Sequence, residues 1–161
     1  MYKNTLIVGI SDARVSNDPN DLLVTYSLGS CIGICMYDPL AHIGGLLHCQ
    51  LPDSKLDAER ARRKPYMFVD TGVQAIIDQM EQLGANRRKL QVKIAGAATM
   101  EIGLTTFDIG KRNFLAARKE LWKNFLMIGA SDVGGQCPRN MYFDIGDGTA
   151  TVKSNEESKA I

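Results

Sequence analysis

Apolar residues fall in short runs over the first fifty positions and then recur at helical spacing in two later segments. TLIVGISDARV reads as a first strand running into the polar loop SNDPND, and LLVTYS as a second that ends at Leu28-Gly29-Ser30. CIGICMY and GLLHCQL are apolar runs of strand length. Asp38-Pro39 between them starts a turn, because proline pre-sets the φ of the second turn position, so residues 31–50 read as a hairpin. Residues 55–64 are polar and charged, and Pro65 interrupts any helix there. Val69, Val73, Ile76, Ile77, Met80 and Leu83 then mark one face of a helix that Gly84 is suited to end. LQVKIAG is a central strand. A second helix is expected from Asn113, an N-cap residue type, carrying Phe114, Ala117, Leu121, Phe125 and Ile128 and stopping at Gly129. Val133 to Lys153 reads as short strands with glycine turns, Asp147-Gly148 among them, and the polar tail 154–161, SNEESKAI, is expected to be disordered.

Two substantial helices among many strands, without regular alternation, predict an α+β fold. The expectation is a single domain over residues 1–153 with layered mixed or antiparallel β-sheets and two main helices. No repeat and no linker divides the chain. With 161 residues the chain can bury roughly 70% of its unfolded surface. A formal net charge of +1 gives no global attraction for nucleic acid, and no aromatic residues interleave with the basic clusters to stack bases. The start lacks the apolar core of a secretory signal, and no run approaches the ~20 apolar residues of a membrane span. A cytoplasmic protein with reduced thiols is expected, so its four cysteines matter individually rather than as a disulfide framework.

Candidate chemistry gathers in the hairpin. If its turn centres on Pro39-Leu40, Cys31 stands directly opposite His48, with Cβ atoms about 4.5–5.5 Å apart. A slip of half a residue would send the two to opposite faces. Together they would make a nucleophile and base: the imidazole takes the thiol proton, the thiolate attacks a carbonyl carbon, and backbone N–H groups hold the oxyanion. Gly29 and Ser30, just before Cys31, would let the chain turn sharply and aim such groups inward.

The plain alternative is a small buried side chain, since cysteine is among the most buried residue types. Cys35 and Cys49 read as packing, and His42 as a solvated turn residue. Cys31, Cys35, His42, His48 and Cys49 fit no common zinc spacing, Asp144–Gly148 lacks the ligands of an EF-hand, and Gly134-Gly135 lacks a following Lys-Ser/Thr. No metal or cofactor is expected. Arg60, Arg62, Arg63 and Lys64 form one basic cluster and Arg87-Arg88-Lys89 another, either solvated faces or docking sites for an acidic partner, with Arg62 and Arg63 the candidates.

The stretch SLGSCIGICMYDPLAHIGGLLHCQLPDS, followed by KIAGAATM, IGKRN and the GG and Arg of VGGQCPRN, resembles the chemoreceptor glutamine deamidase family, CheD. The resemblance implies hydrolysis of glutamine side-chain amides to glutamate on the cytoplasmic helices of methyl-accepting chemotaxis receptors, with Cys31 as nucleophile and His48 as base. It also implies that Thr25, six residues before the cysteine, completes a triad, a role that sequence pattern alone does not give it. An adaptor that binds and activates the phosphatase CheC, with catalysis secondary, is the alternative the resemblance carries; cysteine-dependent hydrolysis of receptor methyl esters is a third. The chain departs from the family pattern at Ala97, where a glycine is frequent, and at Pro138, where a glycine usually precedes the arginine.

Overall fold

A computed structural model describes residues 3–99 and 108–161. Ten strands form two five-stranded mixed sheets. The first contains β1 (Asn4–Ile7), β3 (Asp21–Leu28), β8 (Arg139–Asp144), β9 (Ala150–Ser154) and β10 (Glu157–Ala160), in that order. The second has β5 (Ile43–Cys49) and β4 (Ile32–Asp38) inside, flanked by β2 (Asp12–Ser16) on one side and by β6 (Gln91–Gly96) and β7 (Ile128–Val133) on the other. Pairing is parallel between β1 and β3 and between β6 and β7, and antiparallel elsewhere. Three α-helices accompany them: α1 (Ala58–Arg63), α2 (Val69–Leu83) and α3 (Ile109–Lys123). The layered α+β expectation holds.

The second sheet is the middle layer, which explains why every residue of β4 and β5 is buried. Ile32, Ile34, Met36 and Leu47 face the helices, packing with Val69, Val73, Ile76, Ile77 and Met80 of α2 and Ala117 and Leu121 of α3. Cys35, Tyr37, Leu46 and Ala95 face the first sheet and meet Leu23, Leu28, Met141, Phe143 and Val152. The glycine pair in β5 lets both neighbours close in. A Cβ on Gly44 would stand 2.6 Å from Ile145 and 2.8 Å from Phe143, and one on Gly45 would stand 2.9 Å from Ile76.

Four expectations need correction. The single strand TLIVGISDARV is two, β1 and β2, which join different sheets; the chain crosses between them where Ser11 takes a left-handed φ of 59°. The second helix begins at Ile109, capped by the Asp108 side chain, which accepts from the Lys111 N–H at 2.9 Å, so Asn113 lies inside the helix. It ends at Lys123, and Phe125 and Ile128 are not on it: Phe125 turns left-handed at φ 60° and stands 95% exposed, while Ile128 starts β7. The tail expected to be disordered forms β10, paired to β9 by backbone hydrogen bonds, and the Ile161 N–H donates to the Ala150 carbonyl at 2.9 Å. Elsewhere α2 ends at Gly84 with φ 115°, and the Asp147-Gly148 turn joins β8 to β9. Met100 of the KIAGAATM stretch lies outside the described residues.

Candidate active site

The hairpin register differs from the expected one. Gly33, not Cys31, stands opposite His48, and Ile32 stands opposite Cys49. The turn is centred one residue later because the Asp38 carboxylate accepts from the N–H groups of Leu40 and Ala41, and His42 closes the loop at φ 54°. Moving the centre by a full residue shifts the pairing by two, so the side-chain faces are kept. Cys31 therefore lies two residues beyond Gly33 and one past the last pair, Ile32–Cys49, at the mouth of the hairpin, diagonal to His48 and on its face. Cys31 packs at the rim of the core between the two sheets.

Thr25 meets His48 from the opposite sheet. Its Oγ1 lies 2.7 Å from His48 Nδ1 and 2.7 Å from the carbonyl oxygen of Val8. The hydroxyl has one hydrogen and a carbonyl only accepts, so Thr25 donates to Val8 and accepts from the Nδ1–H of His48. That fixes the tautomer: Nε2 carries the lone pair. Both side chains are fully buried, and among the described residues Nε2 has no hydrogen-bond partner. A buried basic nitrogen left open is costly, and such groups call for an explanation. Among the described residues no group of three or more His, Cys, Asp or Glu side chains could hold a metal ion.

Burial pushes the His48 pKa down to about 4. Desolvation raises the Cys31 pKa above its ordinary value, opposed by a hydrogen bond from the Cys31 N–H to its own thiol. Both shifts favour a neutral thiol beside a neutral imidazole at rest. Cys35, sealed four residues further along the strand, is pushed up to about 12 by burial. Cys49 is also sealed and raised by burial, while Cys137 is exposed.

The turn before Cys31 is held from several sides. The carbonyls of Gly29 and Cys31 accept from the N–H groups of Ala98 (2.8 Å) and Ala97 (2.7 Å), and that of Ser30 accepts from the Asn113 side chain (2.8 Å). Ala97 adopts φ 52°, a left-handed conformation that glycine takes without strain. Buried Arg139 donates to the carbonyls of Gly96 (2.6 Å) and Gly134 and pairs with Asp132, bracing the same corner. Of the residues nearest the turn, Asn113 was misjudged as a cap. Its residue type fits either role, and only the tertiary contact tells them apart.

Beside the hairpin mouth lies a cleft of about 550 Å³ lined by Ser11, Gln50, Arg60, Arg63 and Lys64 among others. The Ser11 N–H donates to the His48 carbonyl at 2.9 Å, so the cleft adjoins the strand that carries the imidazole. Arg63 lines it. Arg62 is exposed on α1 and does not.

A cysteine at a strand mouth, with an imidazole of fixed tautomer on the same face, is the equipment of a cysteine-dependent acyl-transfer enzyme. Comparison with known proteins agrees in class. Residues 50–154 match the family model "CheD chemotactic sensory transduction". A protein of Solibacter usitatus, "Probable chemoreceptor glutamine deamidase CheD", is 47% identical over 156 residues, covering 97% of this chain and 92% of its own. The "Probable chemoreceptor glutamine deamidase CheD 1" of Syntrophus aciditrophicus is 45% identical over 150 residues, covering 93% of this chain and 94% of its own. The chain belongs to the CheD family. The family model begins at residue 50, after Thr25, Cys31 and His48, so their roles rest on the geometry and on the resemblance in sequence.

Proposed function

We propose that the protein is a protein-glutamine deamidase, a cysteine-dependent amidohydrolase that converts glutamine side chains of methyl-accepting chemotaxis receptors to glutamate. The observation that carries the mechanism is the open, buried Nε2 of His48, with Nδ1 committed to Thr25, on the hairpin face that ends at Cys31. Nε2 takes the proton of the Cys31 thiol as the sulfur bonds to the carboxamide carbon, and the carbonyl electron pair moves onto oxygen. The Nε2–H then protonates the leaving nitrogen, ammonia departs, and a thioester remains. Water gives its proton to Nε2 and adds to the thioester; collapse releases glutamate and returns the proton to sulfur. No other redox or group-transfer partner is needed. The Cys31 N–H, already directed at its own thiol, is a donor for the oxyanion, with the turn at Gly29 and Ser30 setting its direction.

The neutral resting pair supports this order of events. A thiol held above its ordinary pKa resists stray oxidation and alkylation, and is deprotonated when substrate closes the site. Arg63, with Arg60 and Lys64 in the adjoining cleft, supplies positive charge for docking an acidic receptor helix; Arg62, on the same short helix, contributes at longer range. Among the described residues no helix is long and apolar enough to cross a membrane. In the adaptor reading, with CheC as the main partner, the committed Thr25–His48 contact and the open Nε2 would have no use, so catalysis takes precedence.

The test is to incubate the protein with cytoplasmic receptor fragments and map amide-to-acid conversion by mass spectrometry. Wild type is expected to convert specific glutamines, and Cys31→Ala and His48→Ala to convert none. Conversion by Cys31→Ala would refute the scheme.

A further inference from the structure

Asn113 is fully buried in α3, and both hydrogens of its carboxamide are used. Nδ2 donates to the Ser30 carbonyl at 2.8 Å and to the Gln50 carbonyl at 3.1 Å. One of these carbonyls directly precedes Cys31, and the other lies two residues beyond His48. A single side chain from a helix in the outer layer therefore ties together the two chain segments that carry the nucleophile and the base.

The tie sets a direction as well as a distance. In a trans peptide the N–H points away from the C=O. With the Ser30 carbonyl turned toward α3, the N–H of Cys31 is turned away from it, toward the core between the two sheets against which Cys31 packs. The neighbouring carbonyls, of Gly29 and Cys31, are held by backbone N–H groups of Ala98 and Ala97, which no substitution short of proline removes. The middle peptide alone of these three depends on a side chain. Asn113 also carries a cost that a residue chosen for packing would not: its Oδ1 is buried with no hydrogen-bond partner among the described residues. A leucine of similar size would avoid that orphan but would leave the Ser30 and Gln50 carbonyls without this donor, so what Asn113 adds over a packing residue is its two N–H groups.

The geometry points to Asn113 as a positioning residue for the deamidation, holding the Ser30–Cys31 peptide so that the Cys31 N–H faces the oxyanion, and fixing that peptide relative to the His48 strand. It rests on the reading of Cys31 and His48 as the reacting pair.

The test separates this role from a structural one by comparing two reactions of the same sulfur. Attack on a carboxamide builds an oxyanion, whereas alkylation by iodoacetamide displaces iodide and builds none. For Asn113→Ala, kcat on a receptor fragment is expected to fall about 100-fold, the scale of losing an oxyanion donor. KM and the rate of Cys31 alkylation are expected to stay within about threefold of wild type. An unchanged kcat, or an equal loss of both reactions, overturns the proposal. Asn113→Ser, able to donate to one carbonyl only, is expected to fall between, with thermal melting followed in parallel. If neither variant folds, Asn113 is a core residue and the proposal fails. If wild type converts no receptor glutamine while its Cys31 is alkylated normally, the deamidase reading itself has failed, which is a different result.

Discussion

The two ends of the β4–β5 hairpin each hold buried polar groups, Asp38 at one and His48 and Asn113 at the other, and treat them in opposite ways. At the turn end, the Asp38 carboxylate accepts from the N–H groups of Leu40 (3.0 Å), Ala41 (3.1 Å) and Asn86 (2.8 Å), and Tyr37 donates to the Ile145 carbonyl at 3.0 Å. Burial alone would raise the Asp38 pKa, but the hydrogen bonds outweigh it and hold the carboxyl below its usual range. At the open end, His48 Nε2 and Asn113 Oδ1 have no hydrogen-bond partner among the described residues. Secondary structure and core composition are shared, so neither explains the difference. The satisfied carboxylate holds a turn; the unsatisfied groups lie at the end that carries Cys31 and adjoins the cleft.

Substitutions and pH changes at either end test this contrast. The largest expected effect is that of pH through His48. The unfolded chain takes up a proton near pH 6.5, whereas the folded protein resists until about pH 4. The folded pKa is the lower one, so the stabilisation is present above pH 6.5 and is lost as pH falls from 6.5 toward 4, by about 3 kcal/mol. Urea unfolding at pH 7 and pH 4 should show that loss in wild type and a clearly smaller one in His48→Gln. An equal pH dependence in both would mean that the imidazole is not sealed.

Thr25→Val comes next. Valine keeps the shape, removes the acceptor for Nδ1–H and frees the ring to turn or change tautomer. kcat is expected to fall about 10- to 100-fold with KM little changed, close to the scale of misplacing a general base. A variant with wild-type kcat would show that Val8 and packing alone orient the ring. The smallest effect belongs to the turn end. Asp38→Asn keeps some of the acceptor set but loses the charge, and should cost about 1–2 kcal/mol in urea unfolding with kcat unchanged. If kcat fell with stability, the two ends would be coupled.

What could be read in the sequence was what side-chain pattern alone decides. The apolar runs that became β3 to β6 and the periodic face of α2 were legible because their side chains are buried on known faces. The crossing at Ser11 was not, since apolar residues continue through Leu6 to Ile10 while the backbone turns. The end of α3 was hidden for the same reason. Phe125 continues the helical spacing, yet the chain has already stopped, with the N–H of Leu126 donating to the Leu121 carbonyl and that of Phe125 to Trp122. β10 was invisible because its stability lies in backbone pairing to β9, which polar composition does not report. In the site, the pattern puts Cys31 and His48 on facing strands but leaves their face and register open; the observed pairing is offset by two residues from direct opposition. Thr25 became visible only through family wording, because a threonine in a strand is ordinary until its partner, 23 positions away, is known. Val8 contributes a backbone carbonyl and leaves no mark in sequence.

The closing strand Glu157–Ala160 has one further consequence. All four of its side chains point to solvent, and acidic Glu157 and basic Lys159 punctuate it. One flank completes the ladder of Ala150–Ser154; the other offers a short, charged rim instead of a long apolar seam. Such a rim is a poor template for a foreign strand, so this border of the sandwich guards against runaway stacking between molecules.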